Sequence, residues 1–507
     1  MKLLVSILLQ QPKLLRCHPT LHLFHSNVIA RFEDNAGAQK NENQINEELA
    51  NIINLRKSNY SSWIIESKID SLCKRYNALN TDDRSKFLLL LARKYTIDHE
   101  KICEIAKRIA CTKPNDPSQL ISREKALKEA LVAPYHWLFA LIGRLESGVK
   151  FLVDFRANVL DLLSQSSRDS SDIINLSVMD GTLRDLLYLW FSVGFMKAER
   201  VTWQTSCDIL QKVSDYEAIH PVKNWTDLKR RVGPYRRCFI FTHPSMPREP
   251  LVVLHTALSD TIPDSVKGIQ EAENRIVGRV LSNQERVDED KSKIKAAIFY
   301  SIASTQIGLQ GIELGNYLIK EVAKHITVEF PGIEKFSTLS PIPNFRVWLL
   351  DRMKRDINQV FTKTEQETIT ADLNNSQIRC MNNLYLNLKK AFNTSLWVND
   401  TKLAASLKEP LLRSCAWYLY QEKRRNYALN NVANFHLRNG AVMWRLNWMA
   451  DPSPRGMAQS CGIMINYRYF LDETESNSRN YIEKYCIKAS NKITDLAKEA
   501  EKLYSSQ

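Results

Sequence analysis

Apolar residues recur at helical spacing through the first part of the chain, from about Glu42 to Trp190. One such face is formed by Ile64, Ile65, Ile69 and Leu72. Residues typical of helix N-termini occur at Thr81-Asp82-Asp83 and at Asp180-Gly181-Thr182, where we expect helices to begin. The pattern predicts an all-α helical bundle domain over residues 41–191. Because no catalytic chemistry is visible in this domain, we expect it to serve oligomerisation.

Short apolar runs typical of β-strands dominate the second part of the chain. Two of them, Cys238–His243 and Leu251–Thr256, flank a proline-rich segment and predict an antiparallel hairpin. Two more strands are predicted at Ile294–Ser304 and Ala441–Met449, with a polar helical region between them. These elements predict an α+β protein in which residues 192–507 form an α/β domain with a mixed, mostly antiparallel sheet.

A glycine-containing turn separates the predicted strand Ile294–Ser304 from an amphipathic helix around Leu318–Ile326. A strand that turns through glycines into a helix presents free N–H groups and the positive end of the helix dipole, and so favours anions. The segment Gln310–Gly315 has neither the Lys-Ser or Lys-Thr of a P-loop nor the pattern G-x-G-x-x-G. It resembles the [RQ]-x-x-G-x-[GA] loop of GNAT-type acyltransferases, which holds the pyrophosphate of coenzyme A. Glu313 stands where that family has a glycine.

Composition indicates a globular protein with few low-complexity segments, since glycine and proline are sparse. The formal net charge is +14, and residues 1–32 contribute to it through Lys2, Lys13, Arg16 and Arg31 without any acid. The remaining positive excess suits nucleic acid or a polyanionic small molecule such as coenzyme A. No clear set of aromatic residues interleaved with basic ones is present, which disfavours a nucleic-acid-binding protein.

The distribution of cysteines and apolar runs bears on the cellular location. Ten cysteines are scattered without a Cys-x-x-Cys pair, which predicts a reducing compartment and no metal site. No run of about eighteen apolar residues occurs, so no transmembrane segment is expected. Residues 1–32 have the composition of a mitochondrial transit peptide, and a secretory signal is the alternative, although its apolar run Leu3–Leu9 is short. We therefore expect the protein in the mitochondrial matrix, with cytosolic or peroxisomal pools as alternatives.

Several short motifs spread through the chain are specific in combination. They are His220–Trp225, Arg231–Cys238, Gly308–Gly315, Ser340–Pro343, Cys415–Tyr420, Val432–Leu437 and Asn466–Phe470. Together they resemble the malonyl-CoA decarboxylase family, from the helical domain to about residue 490. The resemblance implies an N-terminal helical domain followed by a GNAT-like catalytic domain, and assembly as a homotetramer. It also implies conversion of malonyl-CoA to acetyl-CoA and carbon dioxide in fatty acid metabolism.

The resemblance assigns functional residues by matching position. It makes Ser340 the proton acceptor and His436 the proton donor, with Glu313 and Tyr469 lining the site. The matching substrate-binding segment consists of Gln310, Gly311, Ile312, Glu313, Leu314, Gly315 and Asn316. The family also implies an interchain disulfide at the position of Cys207. Many animal members end in Ser-Lys-Leu, a peroxisomal address, whereas this chain ends in Ser-Ser-Gln, which removes that argument for a peroxisomal location.

Decarboxylation of a β-carboxy thioester leaves an enolate whose charge the thioester oxygen carries, so we expect neither a metal nor a cofactor. The enzyme must bind the carboxylate, stabilise the enolate and deliver a proton to Cα. We expect Ser340 to bind the carboxylate or relay its proton, His436 to protonate the enolate carbon, and Glu313 to orient one of the two. An acyl-CoA-dependent acyltransferase of the GNAT type is the alternative, although it leaves the pairing of Ser340 with His436 unexplained.

Overall fold

The computed structural model describes residues 44–56, 60–111, 117–165, 171–191, 193–217, 221–277, 289–312, 318–375, 383–394 and 396–505. The predicted transit peptide, residues 1–32, lies outside these ranges, as do Glu313–Asn316 of the predicted coenzyme A segment. The chain divides into two compact units. The helical unit comprises the residues up to Met196 together with His243–Glu249 and Gln306–Ile312, and the sheet unit comprises the rest.

The helical unit contains eight α-helices within its described residues. They are α1 (44–55), α2 (Ser62–Ala78), α3 (Thr81–Lys94), α4 (His99–Ala110), α5 (Pro117–Ala130), α6 (Pro134–Ile142), α7 (Gly148–Gln165) and α8 (Ser171–Trp190). The predicted start of α3 is confirmed, since the Asn80 side chain accepts a hydrogen bond from the Asp83 N–H at 2.9 Å. Apolar residues from Ile45 to Leu186 pack into one core. The predicted helical N-terminal region is therefore confirmed.

The helix start predicted at Asp180 is wrong, because α8 continues through this position. Buried apolar residues lie at helical spacing on both sides of it, namely Leu176, Met179, Leu183, Leu186 and Leu187. Burial of this continuous face stabilises the helix across Gly181, where the local sequence alone favours an end. Asp180 therefore lies in the middle of a helix, where its carboxylate is available to a partner on a neighbouring element.

The sheet unit contains twelve α-helices and ten strands within its described residues. The helices are α9 (Cys207–Asp215), α10 (Trp225–Arg231), α11 (Val266–Val277), α12 (Leu318–Glu329), α13 (Phe345–Arg355), α14 (Lys363–Asn375), α15 (Leu384–Thr394), α16 (Thr401–Tyr420), α17 (Asn431–Arg438), α18 (Pro454–Ser460), α19 (Thr474–Lys484) and α20 (Asn491–Ser505). The strands are β1 (Lys197–Val201), β2 (Arg236–Thr242), β3 (Val252–Ser259), β4 (Ala296–Ser304), β5 (Lys335–Thr338), β6 (Ser340–Pro341), β7 (Lys423–Arg424), β8 (Tyr427–Ala428), β9 (Val442–Asn447) and β10 (Met464–Tyr469).

Eight of the strands form one mixed sheet in the order β1-β2-β3-β4-β5-β10-β6, with β9 also paired to β10. β4 and β5 are parallel, and the other neighbours are antiparallel. The predicted hairpin is confirmed as β2 and β3, in which Phe239 pairs with Leu254. The other two predicted strands are observed as β4 and β9. The structure thus confirms the α+β class and the mostly antiparallel sheet.

Two apolar cores pack against this sheet. One core packs Ile240 of β2 and Val253 of β3 against Leu210 of α9, and a second contains Ile298 of β4 and Met464 of β10. β2 and β3 are buried along nearly their whole length, as expected for strands covered on both faces. Within the described part of the chain, no helix combines the length and the apolar character needed to cross a membrane.

Candidate active site

The position of Ser340 is set by the strands that meet at β10. Ser340 begins β6 and pairs with Ile465 of β10. Two residues earlier, Thr338 ends β5, which pairs with the same strand β10. β10 in turn carries Tyr467 and Tyr469, whose alternate spacing places their side chains on one face of the sheet.

The position of His436 is set by a short helix that is tied to the segment after Ser340. His436 lies in the last turn of α17, and the Asn430 side chain caps the start of that helix by accepting from the Ala433 N–H at 2.9 Å. The amide nitrogen of Asn430 also donates to the Pro343 carbonyl at 3.0 Å. A single buried side chain therefore starts the helix and binds it to the Ser-Pro-Ile-Pro segment.

The side chains of Ser340, His436 and Tyr469 form a continuous hydrogen-bonded path. Ser340 Oγ lies 3.0 Å from His436 Nε2, and His436 Nδ1 lies 2.8 Å from the Tyr469 hydroxyl. All three residues are buried, with 5%, 4% and 3% of their surfaces exposed, respectively. The fold therefore brings together three of the four catalytic residues expected from the resemblance, while Glu313 lies outside the described residues.

Two residues that sequence reasoning missed complete this path. Thr338 Oγ1 lies 2.8 Å from Ser340 Oγ and accepts a hydrogen bond from the Tyr467 N–H at 3.1 Å. The Tyr467 ring stacks on the imidazole of His436, with the ring centroids 4.4 Å apart. The spacing of Tyr467 two residues before Tyr469 is a sequence signal that could have identified Tyr467, whereas no local signal marks Thr338. Together the two residues hold the serine and the imidazole in one orientation.

Burial determines the protonation states along the path. It lowers the pKa of His436 to about 3 and raises the pKa of Tyr469 well above its usual value of 10. At neutral pH the imidazole is therefore uncharged and the phenol keeps its proton. A neutral imidazole has only one N–H, so one ring nitrogen donates and the other accepts.

The path has two proton arrangements that differ only in direction. In one, Tyr469 donates to Nδ1 of His436, Nε2–H donates to Ser340, and Ser340 donates to Thr338; in the other, each of these hydrogen bonds is reversed. When each group passes one proton to the next, a proton must enter at one end of the path and another must leave at the other end, which is how a proton relay works. Because both imidazole nitrogens already have partners, a hydroxyl rather than the ring is the group placed to exchange a proton with a substrate.

The described part of the predicted coenzyme A segment, Gln310–Ile312, belongs to the helical unit. It follows the single 3₁₀ turn Ile307–Leu309. Gly311 has a φ of +83°, and a Cβ at this position would meet no atom within 4 Å. Backbone conformation rather than crowding therefore requires glycine here.

The remaining predicted residues are placed as follows. Cys207 begins α9, and its thiol is exposed and free within the single chain. Glu313, Leu314, Gly315 and Asn316 lie outside the described residues. The interchain disulfide at Cys207 and the roles of these four residues therefore stay predictions.

Comparison with known proteins supplies the family. The sequence profile of the malonyl-CoA decarboxylase C-terminal domain matches residues 194–507, and that of the N-terminal domain matches residues 95–191. A protein named mitochondrial malonyl-CoA decarboxylase from Anser anser anser is 44% identical over 436 residues, which is 84% of this chain and 82% of that protein. The protein of the same name from Mus musculus is 45% identical over 420 residues, which is 82% of this chain and 81% of that protein.

Solved structures agree with these sequence matches. The crystal structure of malonyl-CoA decarboxylase from Rhodopseudomonas palustris is 28% identical, covers 90% of this chain and 99% of its own, and has a TM-score of 0.72. The crystal structure of malonyl-CoA decarboxylase from Agrobacterium vitis is 26% identical, covers 89% of this chain and 99% of its own, and has a TM-score of 0.69. The class that these matches define is that of the carboxy-lyases. The chain belongs to the malonyl-CoA decarboxylase family, which confirms the resemblance seen in its motifs.

Proposed function

We propose that this family member converts malonyl-CoA to acetyl-CoA and carbon dioxide at the path formed by Ser340, His436 and Tyr469. The observation that carries the proposal is the continuous hydrogen bonding from the Tyr469 hydroxyl through the imidazole to the Ser340 hydroxyl, at 2.8 and 3.0 Å. The relatives from Anser anser anser and Mus musculus bear the name of this activity. An acyltransferase is not favoured, because the relatives described above are named as malonyl-CoA decarboxylases and because acyl transfer assigns no role to this path.

Substrate binding supplies the proton in this mechanism. The malonyl carboxylate, bound beside Ser340 and His436, adds a negative charge that opposes the effect of burial on the imidazole pKa. The charged form of His436 is then favoured, so one proton is taken up from solvent with each substrate. In that form Nδ1–H donates to the Tyr469 oxygen, and Nε2–H donates to Ser340 Oγ.

Loss of carbon dioxide breaks the bond between the carboxylate carbon and Cα, and the electron pair passes into the enolate. In place of the direct protonation by His436 expected from the sequence, the Ser340 hydroxyl gives its proton to Cα, and the Nε2–H of His436 replaces that proton on Ser340 Oγ. The imidazole returns to its neutral form, so the proton taken up with the carboxylate is consumed in acetyl-CoA. Tyr469 acts by holding the ring through Nδ1.

We assign coenzyme A binding to the segment Gln310–Asn316. The left-handed backbone of Gly311 and the open space where its Cβ would lie support a close approach of the pyrophosphate to the main chain. Glu313 in the same segment has the proposed role of orienting Ser340 or His436. The parallel pair of β4 and β5 supports a GNAT-like arrangement of the sheet unit, since Gly308–Gly311, called here the glycine segment, follows β4 in the chain.

We further propose that residues 41–191 mediate assembly into a homotetramer. Support comes from large apolar side chains on the surface of α8, where Ile174, Tyr188 and Leu189 are 65%, 64% and 73% exposed. The exposed thiol of Cys207 is accessible for an interchain disulfide. A mitochondrial location, in the matrix, is supported by the acid-free composition of residues 1–32 and by the names of the animal relatives.

The activity is tested by incubating the purified full-length protein with malonyl-CoA and following acetyl-CoA, with and without an amine acceptor. We expect acetyl-CoA at the same rate in both reactions, and Ser340→Ala to abolish most of it. Ser337→Ala is the matched control, because Ser337 is also buried but its hydroxyl donates to the Tyr467 carbonyl at 3.0 Å and has no bond to His436. Transfer of the malonyl group to the amine without formation of acetyl-CoA would contradict the proposal.

A further inference from the structure

A buried arginine in the helical unit binds the backbone of the glycine segment. Arg156 lies on α7, and only 2% of its side chain is exposed. Its Nε donates to Asp180 Oδ1 at 2.8 Å. Its Nη1 donates to the Gly308 carbonyl at 2.6 Å and to the Gln310 carbonyl at 3.0 Å. A buried guanidinium thus has one carboxylate partner and two carbonyl partners that bracket the turn before Gly311.

The energetics explain why this contact fixes the segment. A buried cation is tolerated only when it is paired and hydrogen-bonded, and hydrogen bonds from charged donors are stronger than neutral ones. Asp180 supplies the paired charge from the middle of α8, which accounts for an acidic residue inside that helix. The two remaining bonds reach residues more than 150 positions away in the sequence, so folding the helical unit also positions the glycine segment.

The helix and the segment also touch directly beside the guanidinium. A Cβ on Gly308 would lie 1.7 Å from the carbonyl oxygen of Val153, so only glycine fits against α7 at this point. Val153 and Arg156 are three residues apart and therefore lie on the same face of that helix. The segment is thus fixed to α7 at two points, one through packing and one through hydrogen bonds.

The peptide geometry links this contact to anion binding. The chain has no cis peptide bond among its described residues, so the C=O and N–H of the Gln310–Gly311 peptide point in opposite directions. Because the carbonyl of Gln310 points at Arg156, the N–H of Gly311 points away from the helix. A guanidinium on the carbonyl also polarises the peptide and strengthens its N–H as a donor.

We propose that Arg156, held by Asp180, is a positioning residue that orients the Gln310–Gly311 peptide for the pyrophosphate of coenzyme A. This inference rests on the proposed binding of the coenzyme A pyrophosphate at Gln310 and Gly311.

The test compares malonyl-CoA with malonyl-pantetheine, which carries the same reacting group but no phosphate. Arg156→Lys keeps the charge but cannot reach all three acceptors in the fixed geometry of a guanidinium. We expect it to lower kcat/KM for malonyl-CoA by ~10-fold through KM, with kcat nearly unchanged. The kcat/KM for malonyl-pantetheine should stay the same. Arg93→Lys is the matched control, because Arg93 pairs with Asp172 at an exposed position of the same unit and should change neither value.

The outcomes separate the two proposals. Equal kcat/KM values for both substrates in the unchanged protein would contradict pyrophosphate binding by the segment, and the role of Arg156 would fall with it. If the unchanged protein clearly prefers malonyl-CoA over malonyl-pantetheine and folded Arg156→Lys shows the same preference, only the role of Arg156 is overturned. An equal loss for both substrates would also overturn it, because it would indicate general destabilisation. Asp180→Asn is the second variant if Arg156→Lys fails to fold, and it should shift the preference in the same direction.

Discussion

The burial of His436 predicts a specific dependence of stability on pH. The folded protein holds the imidazole with a pKa of about 3, whereas an unfolded histidine has a pKa of about 6.5. Below pH 6.5 the unfolded chain therefore binds a proton that the folded chain does not bind. Stability falls as the pH drops through this range and stops falling near pH 3, whereas above pH 6.5 the group makes no contribution.

The size of the effect follows from the difference in pKa. Each pH unit below 6.5 costs about 1.4 kcal/mol, so the contribution of His436 between pH 7 and pH 5 is a loss of about 2 kcal/mol. His436→Asn removes the titrating group, and the other ionisable groups remain. Over the same pH range, the free energy of unfolding of this variant should therefore fall by about 2 kcal/mol less than that of the unchanged protein.

This difference is measured by urea unfolding of the unchanged protein and of His436→Asn at a series of pH values between about 7.5 and 5. The range is set by the unfolded histidine pKa of about 6.5. We expect the two curves of free energy against pH to be parallel above about pH 6.5 and to converge below it. Parallel curves throughout would show that the folded protein binds the proton as readily as the unfolded chain. The neutral imidazole of the protein without substrate, and the uptake of a proton when the substrate binds, would then be wrong.

Two further predictions concern the hydrogen-bonded path and the glycine segment. Tyr469→Phe keeps the ring but removes the hydroxyl 2.8 Å from His436 Nδ1, so kcat should fall by ~10-fold with little change in KM, and unchanged steady-state kinetics would contradict its orienting role. Gly311→Val forces a β-branched residue into a φ of +83° and should raise the KM for malonyl-CoA steeply. Gly308→Ala should instead mainly lower the thermal unfolding midpoint, because the added Cβ would clash with Val153. Equal effects of the two glycine variants on KM and on stability would show that the segment is structural throughout.

Local patterns in the sequence predicted much of the fold because their signals lie within a few residues. The hairpin of β2 and β3, strand β4 and the helical unit all follow from apolar spacing. The misread start at Asp180 shows the limit, since an acid followed by glycine and threonine resembles a helix N-terminus whatever the helix packs against. Only the tertiary structure reveals that this carboxylate pairs with Arg156.

The site was predictable only in part for the same reason. The motifs pointed to Ser340, His436 and Tyr469, but their contacts join positions 96 and 33 residues apart, which no local pattern encodes. Thr338 was missed because no local signal marks its hydroxyl as a partner of Ser340, although the two residues are near neighbours in the sequence. Arg156 was missed because the carbonyl groups that it binds lie far from it in the sequence. The neutral state of His436 also required the structure, since it results from burial.

The central claim is that Ser340 and His436 act as one unit in delivering a proton to Cα, and a double-mutant cycle on kcat for malonyl-CoA tests it most directly. We predict that Ser340→Ala and His436→Asn each lower kcat by roughly 10²–10⁴, with KM little changed. Because the two groups share one hydrogen bond of 3.0 Å, the double variant should lose far less than the product of the two single losses. Multiplicative losses, or a His436→Asn enzyme with normal kcat, would contradict the relay.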